Sequence, residues 1–441
     1  MLKVFEAFSG IGAQAKALER CKEQYGLEYE IIHTAEWDVN AIIAYDLIHN
    51  GEQDLSKYND MGKEELVEKL SSYCLSPDGK DPYKEGGLKR NNIEMLKRLL
   101  CAIERTKNLV SVTEIKGADL PGDIDVLTYS FPCQNLSIAS VIHGEGYMTG
   151  IDRTIKNRSG MLWEIERILK EMDDANITLP KFLLMENVTT LFSARHIADF
   201  ESWQQFLIDK GYYNITYRKL NGINFNSPQA RERSFMISVY VGANKELAEQ
   251  LDSIINLEHR LDLHDLYIEE MNLPRVDVSE LFRDDYTNEL YRREAEASLL
   301  QDTPSRDRII EENVVIRHVK GETESCWENV RTNEPISNIR TITTKQDRNP
   351  TTAVIEYPFQ VEGKKKYRYM TPRECFMGMG FDEEDFDAIV NNNFMDSKKG
   401  MFFTRSKLER MAGNSIVVNI LQAIFKQISD IKDEMSKHIV D

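Results

Sequence analysis

Residues 3–13 read Lys3-Val-Phe-Glu-Ala-Phe-Ser-Gly-Ile-Gly-Ala13. An apolar strand, Lys3 to Phe8, runs through a glycine-bearing turn into a helix that starts near Ala13, with Ala17 and Leu18 facing inward. Glycines in such a turn let the backbone approach a ligand, and a helix N-terminus presents free N–H groups. A Gly-x-Gly turn serves tight packing equally well, so both readings stand at this point. The pattern then repeats. Tyr29 to Ala35 reads as a second strand ending at Glu36, followed by a helix through Ala41, Ala44, Tyr45 and Ile48. Further strands are predicted at Asp125 to Ser130, Phe182 to Met185, Tyr213 to Leu220 and Ser234 to Tyr240, with helices at about Gly160 to Met172 and Phe200 to Lys210. Strands alternating with helices predict an α/β fold with a largely parallel sheet. Glu52 to Asn108 is polar and helix-prone, interrupted by the turn-rich stretch Ser76 to Gly87, and reads as a helical insertion carrying a surface loop.

After Val241 the alternation stops. The chain to about Lys365 is charged and rich in Asn, Thr and Arg, which puts a domain boundary near 241. The expected division is residues 1–240, 241–395 and a helical segment 396–441, whose pattern from about Ser406 to Ser436 carries Ile416, Val417, Ile420, Leu421 and Ile424. At 441 residues and 41% hydrophobic content the chain suits two or three domains and a sizeable core. No apolar run approaches the ~18 residues of a membrane span. The N-terminus enters a strand directly, without a signal peptide. Six scattered cysteines form no Cys-x-x-Cys pair and no Cys/His cluster, which points to a reduced, cytoplasmic protein and to no metal site. The net charge of -18 repels phosphate at long range, so any nucleic-acid surface must be locally basic. Lys89-Arg90, Arg153 to Arg158, Arg231 and Arg233, Arg340 to Arg348, and Lys364 to Arg368 are the candidates.

The chemistry-bearing residues sit just past two strands. Pro132-Cys133-Gln134 follows the third strand and Glu186-Asn187-Val188 closes the fourth. A thiol and a carboxylic acid leaving one edge of a parallel sheet can together attack an aromatic ring carbon and donate to the ring nitrogen that gathers charge. Each tripeptide alone is weak evidence, because a cysteine after a strand is more often a small buried hydrophobe.

Order gives these pieces their meaning. Phe5-Glu-Ala-Phe-Ser-Gly-Ile-Gly-Ala13, Ala35-Glu-Trp-Asp38, Ser130-Phe-Pro-Cys-Gln134, Leu184-Met-Glu-Asn-Val188 and Gln229-Ala-Arg-Glu-Arg233 are followed by Thr371-Pro-Arg-Glu-Cys375, Met379-Gly-Phe381 and Ala412-Gly-Asn-Ser-Ile416. This series resembles the blocks of the DNA (cytosine-5) methyltransferases, and Thr128 to Gln134 and Arg158 to Arg167 look closest to the mycoplasma-type enzymes that methylate CpG. That closer likeness covers the catalytic half and not the part that reads sequence. The resemblance implies a Rossmann-like S-adenosylmethionine-dependent methyltransferase fold with a mixed, mostly parallel sheet, plus a smaller target-recognition domain. It also implies S-adenosylmethionine as methyl donor, S-adenosylhomocysteine as product, no metal, and double-stranded DNA as partner. A monomer is expected, with a cognate restriction endonuclease as an optional companion.

By the same resemblance Cys133 is the nucleophile, Glu186 the donor at the cytosine N3, and Arg233 a ligand of O2. Arg231 would hold Glu186 or a phosphate, while Asn187 and Gln134 order the loops. Phe8 and Trp37 would flank the adenine, Glu36 would take the ribose, and Gly10 with Ser9, Ile11 and Gly12 would line the rest. Glu114-Ile115 stands where the family usually has Asp-Ile. Pro132 and Leu162 complete the pocket, and Asn414 and Ser415 would close the methionine end. Asn135 to Arg158 reads as a loop closing over a flipped base, with Ser137 and Arg158 touching DNA. Arg340, Thr341, Thr343, Lys345, Gln346 and Arg348 lie in a stretch dense in base-reading side chains. Two alternatives stay open: a transfer-RNA cytosine methyltransferase, and a catalytically silent DNA-binding relative. The large polar segment 241–365 favours DNA over RNA.

Overall fold

The computed structural model describes residues 1–131, 158–258, 260–263, 265–320, 325–346, 348, 350–397 and 400–438. Strand β1 (Leu2–Ala7) is buried at all but one position, as a strand covered on both faces must be. It lies between two parallel neighbours, β2 (Tyr29–Ala35) and β3 (Val126–Tyr129), and β4 (Phe182–Asn187) runs parallel beyond β3. After β5 (Tyr212–Asn221) and a two-residue strand β6 (Gln229–Ala230), β7 (Glu232–Tyr240) inserts antiparallel beside β4. The order of the six-stranded sheet is β2-β1-β3-β4-β7-β5. The α/β expectation therefore holds, with a mixed and mostly parallel sheet. Chain order reverses on either side of β1, the switch point at whose carboxyl edge open α/β sheets bind their ligands.

Helix α1 (Ala13–Tyr25) ends at Gly26, whose left-handed conformation returns its N–H to the Cys21 and Lys22 carbonyls. Helix α2 (Val39–Asn50) is N-capped by Asp38. The helical insertion contains α3 (Lys63–Leu70) and α4 (Ile93–Arg105). It is tied to α2 through the buried Asp46 carboxylate, which accepts from Gln53 and Asn50 and pairs with Arg105. Helices α5 (Leu162–Asp174) and α6 (Ile197–Asp209) press Leu162, Ile165, Leu169, Phe200, Trp203 and Leu207 against Phe5, Leu127, Tyr129, Leu183 and Met185 of the sheet. Trp203 is wholly buried, and its indole N–H donates to the Tyr129 hydroxyl at 3.1 Å. An aromatic body with one satisfied polar atom is well suited to such a core.

The chain divides into two compact units, one of Met1–Leu220, Glu232–Asn272 and Gln422–Asp441, the other of Asn221–Arg231 and Leu273–Leu421. This differs from the boundary near 241 that composition suggests. Residues past Val241 stay with the large unit, where the Tyr213 hydroxyl donates to Asp252 and that of Tyr267 to Asp430. Their short helices are charged because one face is solvated, and composition cannot distinguish that from a change of domain. The smaller unit holds a five-stranded sheet of β8 (Leu299–Gln301), β9 (Val315–Lys320), β10 (Ser325–Asn329), β12 (Val354–Glu356) and β13 (Lys364–Arg368), in the order β10-β9-β12-β13-β8. Strand β11 (Ile339–Arg340) pairs instead with β6.

Helix α7 (Pro372–Met379) begins with a capping box from Thr371 and Glu374. The same Glu374 carboxylate receives both terminal nitrogens of Arg368 at 2.8 Å, and both side chains are fully buried. Removing one partner of a buried pair leaves an uncompensated charge. Glu374→Ala should therefore cost about 3–5 kcal/mol of stability, read as a lower urea midpoint for the small unit's transition.

Candidate active site

In the large unit one row of backbone partners crosses five strands: Ala35, Ala7, Tyr129, Met185 and Met236. The next residue on each parallel strand is Glu36, Phe8, Ser130 or Glu186, so the sheet delivers these four to one edge.

Phe8 occupies a left-handed conformation, φ 58°, which is strained for a bulky side chain and found where the surroundings enforce it. Its N–H and that of Ser9 both reach the Ala35 carbonyl, at 2.7 and 3.3 Å. The side chain stays half-buried. Gly12, at φ 80°, must be glycine on two counts. Its backbone is left-handed, and a Cβ would lie 2.1 Å from the His49 Nε2 and 2.7 Å from the Tyr45 ring. His49 Nε2 meets the Ile11 carbonyl at 3.1 Å. Burial pushes this imidazole down to about 4, so it is neutral and donates through Nε2. Beneath the turn the wholly buried Glu6 accepts from the Tyr45 hydroxyl at 2.8 Å, and burial pushes its carboxyl up to about 8.

Glu36 folds over the start of the same turn. One carboxylate oxygen accepts the Gly10 N–H at 3.0 Å, and the other accepts those of Trp37 and Asp38 at 2.9 and 2.8 Å. Burial, then the neighbouring Asp38, raise its titration to about 7. The Asn108 side chain fixes the Glu36 backbone on both sides, accepting its N–H at 3.1 Å and donating to its carbonyl at 3.0 Å. Asn108 carries no motif. The only local signal is the contorted chain around it, with Lys107 and Val110 both at positive φ. Glu114 is exposed and accepts the Cys74 N–H at 3.1 Å, while Ile115 and Leu162 are buried.

Glu186 stands opposite Phe235 in the antiparallel β4–β7 register. That puts Arg233 at the diagonal position on the same face, and Arg233 Nε meets the Glu186 carboxylate at 3.2 Å with both side chains largely buried. Asn187 is buried, and its amide donates to the Phe131 carbonyl at 3.1 Å. It thereby ties the end of β4 to the segment that leads into Pro132, Cys133 and Gln134. Those three residues, together with Ser137 and Arg153, lie outside the described residues, as does the side chain of Arg158.

Arg231 does not join this pair. It belongs to the smaller unit, where it is buried and its guanidinium donates to the carbonyls of Ile342, Gly413 and Ser415 at 2.8, 3.0 and 2.8 Å. The expectation that it holds Glu186 fails because the chain leaves the strand between β6 and β7, so two arginines two residues apart serve different units. Asn414 is exposed at the end of helix α8 (Arg405–Asn414), and Ser415 follows as its C-cap. Gln346 is wholly buried, its amide donating to Thr352 and accepting from Thr351, so this side chain is used inside the unit. Arg340 and Arg348 are exposed, and Thr343 and Lys345 half-buried. Among the described residues no group of three or more His, Cys, Asp and Glu is placed to hold a metal, and no helix is long and apolar enough to cross a membrane.

Residues 87–430 match the family described as C-5 cytosine-specific DNA methylase. Orphan methyltransferase M.SssI of Spiroplasma monobiae is 42% identical over 240 residues, which span 54% of this chain and 59% of that one. Type II methyltransferase M2.ScrFI of Lactococcus lactis subsp. cremoris is 26% identical over 433 residues, 97% and 99% of the two chains. The crystal structure of the S. pombe Dnmt2 methyltransferase superposes with a TM-score of 0.55 at 15% identity, covering 98% and 99%, which is a likeness of fold.

The buried Glu6 yields a pH test. Its folded value near 8 exceeds the ordinary 4.5, so between these limits the folded chain holds more protons there than the unfolded chain. Stability from this group is present below about 4.5 and lost as pH rises towards 8, at up to about 1.4 kcal/mol per pH unit. Glu6→Gln should flatten that part of the profile, measured as urea midpoints across the range.

Proposed function

We propose that this chain, which belongs to the C-5 cytosine-specific DNA methylase family, methylates C5 of a cytosine turned out of duplex DNA, through a transient bond from Cys133 to C6. The observation that carries the reading is the Glu186–Arg233 pair at 3.2 Å, held at the strand end that Asn187 ties to the approach to Cys133.

Cytosine C5 is too weak a nucleophile to take a methyl group unaided. Addition of the Cys133 thiolate to C6 turns the ring into an enamine whose C5 is reactive. Charge then gathers towards N3 and O2. Glu186 shares a proton with N3, and Arg233 donates to O2, so the developing charge meets groups held in place beforehand. Loss of the C5 proton and β-elimination return the Cys133 thiolate. The target carbon is inaccessible inside a stacked duplex, which is why the base must leave the helix.

S-adenosylmethionine, when bound, supplies a methyl carbon made electrophilic by its sulfonium. The first edge of the sheet suits this molecule. Phe8 and Trp37 are half-buried rings able to flank an adenine, Glu36 stands where a ribose hydroxyl is bound in dinucleotide folds, and a Cβ at Gly10 would meet nothing within 4 Å. The exposed Arg340 and Arg348 support DNA contact through the smaller unit. The chain acts as a single-subunit modification enzyme, and the likeness to a type II methyltransferase supports a place in restriction-modification.

Labelled S-adenosylmethionine offered to unmethylated duplex DNA and to transfer RNA, with sequencing of the modified cytosines, tests the reading. Label at one short DNA motif is the expected result, and label on RNA alone overturns it. Cys133→Ala should abolish transfer while cofactor and DNA still bind. Glu186→Gln should lower the single-turnover rate by about 10²–10⁴-fold, and an unchanged rate would remove Glu186 from the chemistry.

A further inference from the structure

Strands β6 and β11 share a parallel ladder of only two residues, Gln229 with Ile339 and Ala230 with Arg340. Beyond it, side chains continue what the backbone stops doing. The Gln229 carbonyl oxygen accepts the Ile342 N–H at 2.7 Å, and Arg231 donates to the Ile342 carbonyl at 2.8 Å. Both polar groups of one backbone residue are thus held by residues flanking Ala230, whose own carbonyl accepts from the Thr341 hydroxyl at 2.9 Å. The two holders are anchored in turn, Gln229 to the Gly378 carbonyl at 2.9 Å and Arg231 to those of Gly413 and Ser415. Gln229, Arg231 and Ile342 are all buried. The next residues are fixed by contact. A Cβ on Gly413 would lie 2.5 Å from backbone atoms of Thr343 and Thr344.

We propose that Gln229 and Arg231 are positioning residues that set the backbone of Arg340 to Lys345 for reading DNA, and so determine which bases the enzyme accepts. This rests on the reading that the segment faces DNA. Base edges are told apart by hydrogen-bond direction, and an exposed arginine discriminates only when the backbone that carries it cannot follow the wrong base. Arg231 is buried and its two terminal nitrogens donate to three carbonyls of the smaller unit, the arrangement of a side chain that holds backbone in place.

The experiment compares methylation of the preferred duplex with duplexes carrying one altered base pair. Discrimination, KM for DNA, single-turnover rate at saturating DNA and S-adenosylhomocysteine affinity are measured for the unsubstituted chain, Arg231→Lys and Thr341→Val. Lysine keeps the charge but not the fork that reaches three carbonyls. Arg231→Lys should lose about tenfold in discrimination and raise KM for DNA, with S-adenosylhomocysteine affinity retained. Thr341→Val leaves the buried arginine in place, so it reports even where Arg231→Lys folds poorly, and it should shift discrimination in the same direction by less. Full discrimination in both variants overturns the proposal, as does a loss confined to the single-turnover rate. Failure of the unsubstituted chain to methylate any duplex would instead overturn the functional reading beneath it.

Discussion

One row of backbone partners, Ala35–Ala7–Tyr129–Met185–Met236, brings the strand ends of the large unit to a common edge. Parallel strands in register end together, so Phe8, Glu36, Ser130 and Glu186 emerge side by side without any loop having to position them. The antiparallel insertion of β7 then brings a strand beginning to the same edge. An all-parallel neighbour would have brought a strand end there, and Arg233 could not have met Glu186. The ion pair follows from strand direction before it follows from charge.

The turn after β1 is built on groups kept uncharged. Tyr45 and His49 occupy the volume a side chain on Gly12 would need, with rings 4.6 Å apart. Burial moves Glu6 and His49 in opposite directions, and both moves favour the neutral form. A neutral imidazole holds the Ile11 carbonyl through one N–H, and a protonated carboxyl beneath it places no fixed charge under the turn. Glu36 meets the same turn with its oxygens already engaged by three backbone amides.

Much of this architecture is legible in the sequence, and the losses have physical causes. Strand positions follow from apolar runs, and Lys3 to Phe8 and Asp125 to Ser130 correspond to Leu2–Ala7 and Val126–Tyr129 within a residue or two at each end. Their blocks assign Glu186 and Arg233 each to the cytosine ring, whereas their contact with one another emerges only from the β4–β7 register. The resemblance gives Arg231 to Glu186 or a phosphate, and nothing in the sequence marks the break between β6 and β7 that leaves it in the smaller unit. Gln346 looked like a base reader, although a polar side chain in an Asn- and Thr-rich stretch satisfies its neighbours as readily as a ligand. The interactions of Glu6, Tyr45, His49 and Asn108 are not legible in the sequence, because their partners lie on other elements and only folding brings them together.

The segment Asn221–Arg231 is separated in sequence from Leu273–Leu421 yet forms one compact body with it. That discontinuity bears on any exchange of the smaller unit between related chains. A graft of residues 273–421 alone would leave β11 without its strand partner and Ile342 without its two holders. A transplantable cassette has to be cut in two pieces, with one of its seams falling between Arg231 and Glu232.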